Sequence, residues 1–229
     1  MAMQPMAIAN IERVDLVTEE EFPRVMSFDT ASEASAQAQV SAGNEKELRV
    51  KNTILAQNVT EDIVKGFQIS LTDSTFSPEV FALVDGGESH VDGEDAFARY
   101  DAPAAGVALC RTKCRVAVYA AEKDYDGHSL SYTAFLFPHA CGTPASVSFK
   151  DGEFFAADYK LKSRPGRGES PMTVLCLPSL PVIAASDDDL PRSPVAGKTV
   201  ILAAGAIDSL PELAVGSYAV YRNGDYEMI

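Results

Sequence analysis

Two apolar-rich runs flank a short polar turn in the middle of the chain: CRVAVYAA (Cys114 to Ala121), then KDYDGH, then SLSYTAFLFP (Ser129 to Pro138). β-Branched and aromatic residues recur in both runs, and Asp126-Gly127 is a two-residue signal for reversing a strand. A lone hairpin is marginal in water, so this pair demands more sheet elsewhere. Strand candidates do recur along the whole chain. Ile11 to Val17 and Arg24 to Phe28 form a first pair about a Glu19-Glu20-Glu21 turn. In EASAQAQVS, Glu33 to Ser41, Ala34, Ala36, Ala38 and Val40 alternate with Ser35, Gln37, Gln39 and Ser41. That is the period of a half-buried strand, although alanine is a weak strand former and a helix competes. ELRVKNTILAQ, Glu47 to Gln57, alternates too, and the intervening AGNEK (Ala42 to Lys46) has a Gly-Asn pair suited to a loop. The pattern predicts one long hairpin here, with an apolar and a polar face.

Gly66 to Thr72 reads as a further strand. After it comes TDSTFSPEVFALVDGG, Thr72 to Gly87. Ser77 suits a helix cap, Pro78 the first helical position and Gly86 the left-handed stop. Between them Val80, Phe81, Leu83 and Val84 make about two turns of apolar helix, with Glu79 at its start. So short a helix is marginal alone and needs a sheet to lie on. Glu88 to Arg111 is broken by Gly93, Pro103 and Gly106 and reads as irregular. Ala145 to Phe149 and Glu153 to Leu161 predict a third hairpin about KDG, and Pro171 to Leu177 one more strand. AASDDDLPRSP, Ala184 to Pro194, reads as a linker. Beyond it lie an apolar run, Thr199 to Ala204, and a small hairpin at Asn223-Gly224, too little for a large core alone. The expected fold class is mainly β: an antiparallel sandwich or barrel with one short flanking α-helix. The expected division is a β domain over 1–182 with an N-terminal arm and a long hairpin loop, a linker over 183–194 and a C-terminal extension over 195–229.

Composition narrows the function. The chain has 229 residues, 46% hydrophobic and 23% charged, which suits a folded domain. Thirty-three acidic residues against 19 basic give a net charge of −14. An acidic surface keeps a protein soluble and repels polyphosphate, so a direct grip on DNA or RNA is not expected. No apolar run is long enough to span a bilayer, and the N-terminus lacks a basic region followed by an apolar core. The chain is therefore expected to fold in the cytoplasm where it is made, with Cys110, Cys114, Cys141 and Cys176 as free thiols.

Chemistry-bearing motifs are sparse. CRTKC spaces Cys110 and Cys114 like half of a zinc site, with His139 and Cys141 as conceivable partners, but buried or idle thiols account for them as well. DYDGH, Asp124 to His128, offers two carboxylates and an imidazole without the closing ligands of a calcium loop, and a strand turn explains it. GRGES, Gly166 to Ser170, reads as an exposed loop. His90, His128 and His139 are far apart in sequence and each sits beside a loop signal. No nucleophile elbow, phosphate loop or dinucleotide fingerprint is present. No enzyme and no cofactor are expected.

The block LRVKNTILAQNVTEDIVKGFQISLTDSTFSPEVFALVDGG, Leu48 to Gly87, resembles the major tail proteins, or tail tube proteins, of long-tailed bacteriophages. The block Glu122 to Pro171 is similar to the same family, most tellingly in DGEFF and KSRP. Together they cover a little under half of the chain. The resemblance implies β-sandwich-like subunits that assemble into six-membered rings stacked as a hollow tube. Strands of all copies would join into one β-barrel around the lumen. The implied partners are further copies of the chain, the tape measure protein, genome DNA in transit without specific binding, and the tail terminator and distal tail proteins. The implied location is the virion tail. On this reading the loop Ala42, Gly43, Asn44, Glu45 and Lys46 is the candidate inter-ring contact. The helix Ser77, Pro78, Glu79, Val80, Phe81, Leu83 and Val84 braces the sheet. Ser35, Gln37, Gln39, Arg49, Lys51 and Thr53 are the candidate lumen-facing residues. A tail terminator or a contractile tube fits the same residues. So does a soluble β binding module, such as a virion decoration or receptor-binding domain, using the acidic segment Glu88 to Asp101.

Overall fold

The computed structural model describes residues 5–93, 96–109, 111–147, 149–152 and 155–229. The fold is mainly β, with one α-helix among the described residues. Its centre is the hairpin expected from the sequence: β9 (Lys113–Lys123) pairs with β10 (Ser129–Gly142), and Gly127 takes φ 84° in the turn. On the far side of β9 lies β1 (Ile8–Thr18), followed at the edge by β2 (Val25–Phe28). On the far side of β10 come β11 (Ala157–Ser163), β6 (Ile63–Asp73) and finally β3 (Ala31–Ser41), with β12 (Thr173–Leu177) beside the other end of β10. The sheet curls until β1 and β3 stand near each other.

Period-two alternation sends one set of side chains inside the curl. Val14 and Leu16 of β1, Val116 and Val118 of β9, Ile69 and Leu71 of β6, and Tyr159 and Leu161 of β11 form this core. Helix α1 (Pro78–Asp85) closes it with Val80, Phe81, Leu83 and Val84, all buried. Gly86 stops the helix at φ 84°, as expected. Ser77 occupies the cap position with extended backbone, but its hydroxyl makes no capping bond; Pro78 has already removed one of the N–H groups that need a partner. Helix and sheet approach so closely that a Cβ on Gly142 would stand 1.9 Å from the Val84 carbonyl oxygen.

The outer face of the same sheet is divided. Its β1, β9, β10 and β12 half is covered by a second, four-stranded sheet from the C-terminus. There β13 (Pro181–Ala184) runs parallel to β14 (Val200–Ala203), which pairs with β15 (Tyr218–Arg222) and, through the Asn223-Gly224 turn, β16 (Asp225–Met228). Val17, Ala117, Tyr119, Ala134, Leu136 and Leu177 pack against Val200, Leu202, Tyr218 and Val220. The Tyr119 and Tyr218 hydroxyls share a hydrogen bond of 2.7 Å, and Arg115 Nη1 donates to the Gly216 carbonyl at 2.6 Å. The segment 183–194 thus begins inside β13. Its Asp187 carboxylate accepts from the Asp208 and Ser209 amides, tying it to the C-terminal sheet.

Three pairings differ from expectation. First, β3 does not pair with Glu47 to Gln57 but with β6, thirty residues on, in the register Ser35↔Ser70, Gln37↔Gln68. The chain between them forms its own ribbon, β4 (Glu45–Val50) with β5 (Thr53–Val59). Its turn falls at Lys51, which adopts φ 52°, so the single strand expected over Glu47 to Gln57 is folded in two. Second, β11 pairs with β6 and β10; only an isolated Ser146–Asp158 bridge remains of the expected third hairpin. The part of that hairpin at Ser148, Glu153 and Phe154 lies outside the described residues. Third, the segment read as irregular holds a short hairpin, β7 (Glu88–Val91) with β8 (Phe97–Asp101).

Gly142→Ala should lower unfolding stability by about 1–3 kcal/mol, because helix α1 must move outward to admit one methyl group; urea denaturation measures it. A second expectation concerns alkali. Burial pushes the Tyr218 phenol up to about 12 and the Tyr119 phenol higher still. In the unfolded chain both ionise near 10, so the unfolded state loses protons first. Their contribution is complete below about pH 10 and fades as pH rises toward 12. The urea midpoint should fall across that window, and Tyr218→Phe should make the fall shallower.

Candidate assembly surface

The β4–β5 ribbon leaves the body through a narrow neck built by Ala42, Gly43 and Asn44. The Gly43 amide donates to Asp62 Oδ1 at 2.6 Å and the Asn44 amide to Thr60 Oγ1 at 2.6 Å, while the Thr60 amide donates back to the Asn44 carbonyl at 3.0 Å. A Cβ on Gly43 would sit 1.7 Å from the Thr60 carbonyl oxygen, so the neck demands glycine. Glu45 and Lys46, expected in the loop, already belong to β4, where Glu45 takes a side-chain hydrogen bond from Gln57.

Every residue from Asn44 to Lys65 is exposed. Leu48 is 58% exposed, Leu55 62% and Ile63 65%, and Val50, Ile54, Val59 and Val64 are exposed with them. Two unsupported strands with apolar side chains in water are a poor end state for a folded chain. Alternation over Glu47 to Gln57 puts Leu48, Val50 and Ile54 on one apolar face but gives neither their exposure nor that of Leu55, Val59, Ile63 and Val64, since an apolar strand face normally signals burial.

Beside the ribbon, the eleven-residue β3 is the last strand of its sheet; its beginning lies near β1, and the remainder presents an unpaired edge. Such an edge is a template for another strand. Its outer face joins that of β6 and β11 in one polar surface: Glu33, Ser35 and Gln37 from β3, Gln68, Ser70 and Thr72 from β6, Asp158, Lys160 and Lys162 from β11. The candidate lumen residues therefore separate into two groups. Ser35, Gln37 and Gln39 lie on the β3 strand, whereas Arg49, Lys51 and Thr53 lie on the ribbon at and near its tip. They do not form one face.

Helix α1 holds a further surface in place. Asp85 is buried at its end, accepting from the Ala145 amide at 2.8 Å and from the Tyr100 hydroxyl, while its carbonyl accepts from Arg111 Nε at 2.8 Å. Burial and then the Asp85 carboxylate push the Tyr100 phenol far up. Above this anchor opens a groove of about 800 Å³ whose walls include Phe76, Phe81, Tyr100, Val147, Phe149 and Phe155. The rings touch edge to face, with Phe81 and Tyr100 centroids 4.9 Å apart, and Phe149 stacks on Phe155 at 5.3 Å. Phe149 is 79% exposed and Val147 55%.

Several of the described residues considered for chemistry make structural contacts. Cys110 lies outside the described residues. Cys114 is buried opposite Ala140, and Cys141, the next residue, faces the other side of the sheet, so the two thiols do not converge. Burial pushes the Cys114 thiol up to about 12, which leaves it inert. Cys176 is exposed and free. His139 sits between Glu19, at 2.5 Å from Nδ1, and Glu169, at 3.2 Å from Nε2, while Glu169 also closes the GRGES loop by accepting from the Gly166 amide. His90 Nε2 lies 3.0 Å from Asp101 across the β7–β8 hairpin. Asp124, Asp126 and His128 bring ligand atoms within 4.8 Å of one another, yet Asp124 Oδ1 already accepts the His128 amide in an exposed turn. No helix among the described residues is long and apolar enough to cross a membrane.

No protein-family model matches the chain, and no curated protein matches its sequence. Solved structures do share similarity with it. A chain of the anti-feeding prophage baseplate is 14% identical at a TM-score of 0.39, over 76% of this chain and 97% of that one. A chain of the cap that terminates the anti-feeding prophage tube is 11% identical at a TM-score of 0.42, over 76% and 94%. A chain of the sheath–tube complex of the extracellular contractile injection system PVC is 12% identical at a TM-score of 0.38, over 76% and 93%.

Proposed function

We propose that this chain is a non-enzymatic structural subunit of a phage-type tail tube. One observation carries the reading: the body buries cores on both faces of its central sheet, yet it projects a ribbon whose apolar side chains no described residue of the same chain covers. Copies of the chain supply that cover. Six subunits join through sheet edges such as β3 into a ring, and the ribbon reaches the next ring, producing a stacked tube. The resemblance of Leu48 to Gly87 and Glu122 to Pro171 to tail tube proteins supports this assignment.

The polar outer face of β3, β6 and β11 is the candidate wall of the channel. Glu33 and Asp158 oppose Lys160 and Lys162 there, and uncharged serine, threonine and glutamine fill the rest. Such a wall offers neither an apolar strip nor a basic stripe to a passing polyanion. Arg49 and Lys51, at odds with a DNA-conducting wall, belong to the β4–β5 ribbon and not to these three strands. Tape measure protein and then genome DNA would occupy the bore, and tail terminator and distal tail proteins would close its ends.

Negative-stain electron microscopy of the concentrated protein tests the reading. Discs of one size with a central hole, stacking into tubes, are expected; particles that stay monomeric at every concentration contradict it. Replacing residues 45–59 by a short Gly-Ser bridge should leave the neck bonds and the melting temperature nearly unchanged while abolishing stacks.

A further inference from the structure

His139 takes φ 49° in the bulge where the β9–β10 register shifts between Phe137 and Ala140. A left-handed backbone is uncommon at a residue other than glycine and marks a position held by its surroundings. Here all four polar groups of the residue are engaged. Its amide donates to Glu19 Oε1 at 3.1 Å, and its carbonyl accepts from the Arg164 amide at 3.1 Å. Nδ1 stands 2.5 Å from Glu19 Oε2, and Nε2 stands 3.2 Å from Glu169 Oε2. A neutral imidazole carries one N–H, so it can donate to one of these carboxylates and must turn a lone pair on the other. The imidazolium donates to both. Histidine ordinarily passes between these forms from about pH 5 to pH 8. The two arms are unequal. Glu19 is 26% exposed, takes the His139 amide as well, and is anchored by its own amide on the Lys113 carbonyl at 2.8 Å. Glu169 is 51% exposed, and its other side-chain partner is the Gly166 amide of its own loop. Around the ring, Glu20 is tied to Thr112 and Arg24, Arg115 to the Gly216 carbonyl and Tyr218 to Tyr119, while the Cys114 thiol is buried against the Ala140 carbonyl. Glu21, Lys113, Cys141, Lys162, Arg164 and Arg167 are the other titratable or charged side chains on these elements. Among the described residues only Glu19 and Glu169 bond to the imidazole.

We propose that His139 is a proton-operated clasp for the GRGES loop: as imidazolium it holds Glu19 and Glu169 together, and on losing a proton it keeps Glu19 and releases Glu169 with its loop. The proton goes to water, which reaches a ring that is 35% exposed. The remaining proton stays on Nδ1, at the shorter contact and beside the better-anchored carboxylate. Nε2 then turns its lone pair toward Glu169, and the two repel. Closure takes up one proton, so it is favoured as pH falls and lost as pH rises. The loop has something to open. Glu169 and Ser170 form one wall of a cleft of about 470 Å³ at the seam between the main sheet and the C-terminal sheet, with Arg115, Leu136, Leu175 and Tyr218 among its other walls. Release of the loop widens this cleft while the doubly buried strands behind it stay in place. The inference stands apart from the tube-subunit reading.

Trypsin reads the loop in the full-length chain, because Arg167 precedes Gly168 and can be cut, whereas Arg164 precedes Pro165 and resists. Cleavage after Arg167 is followed by mass spectrometry at about pH 6 and about pH 8.5, to either side of most histidine titration. Each rate is divided by that of a short peptide spanning GRGES at the same pH, which removes the protease's own pH dependence. The parent's normalised rate should rise about three-fold with pH, the scale of one partly exposed charged contact. His139→Asn tolerates the left-handed backbone but cannot span both carboxylates, so its rate should be high at both pH values. Glu169→Gln offers Nε2 either a donor or an acceptor, so its rate should be the same at both. Both variants should melt close to the parent at about pH 8.5, where the clasp is already open. Equal parent rates at the two pH values would overturn the proposal. So would a rise that persists in His139→Asn or in Glu169→Gln. All of these outcomes leave the tube-subunit reading standing.

Discussion

Everything in this molecule is arranged around the β9–β10 pair, which is buried on both faces at once. Val116 and Val118 look into the core under helix α1, while Ala117 and Tyr119 look the other way into the C-terminal sheet. Each fully buried aliphatic side chain of this kind contributes about 1.5–3 kcal/mol relative to an exposed one. The second burial is what fixes residues 181–229 to the body, with the Tyr119–Tyr218 hydroxyl bond satisfying the polar atoms the contact would otherwise strand. A chain secured this way in its centre can leave other surfaces unfinished without unfolding.

Those unfinished surfaces are of two kinds, and their chemistry differs. The β3 edge offers backbone hydrogen-bonding groups under small polar side chains, which suits strand addition with little side-chain selectivity. The ribbon and the groove offer shape and apolar area, which suits a contact made by side chains. Glycine governs both supports: Gly43 lets the neck of the ribbon close, and Gly142 lets the helix beneath the groove approach its sheet. Local backbone demands thus hold both exposed surfaces in place.

Much of this was legible in the sequence wherever the signal was local. The β9–β10 turn at Asp126-Gly127, the Asn223-Gly224 hairpin and the Pro78-to-Gly86 helix lie where their turn and cap residues place them. Pairing between distant segments was not legible. Nothing in EASAQAQVS names β6 as its partner, and the nearest alternating segment was the wrong one. Lys51 hid the ribbon turn, since lysine at positive φ is not a turn signal of the Asn-Gly kind. The docking of the C-terminal sheet depends on the outward faces of β9 and β10, which read only as strand residues until the two sheets are seen together. The aromatic groove gathers Phe76, Tyr100 and Phe149 from three separate loops and strands, so no window of sequence contains it.

The central claim is that the ribbon finds its cover on another copy. Amide hydrogen exchange of residues 45–59, measured at low and at high protein concentration, addresses it most directly. Fast exchange in the dilute monomer and strong protection on self-association, with β9 and β10 protected throughout, is the expected result. Ribbon amides protected in the monomer, or still exchanging freely in the assembled protein, would contradict it.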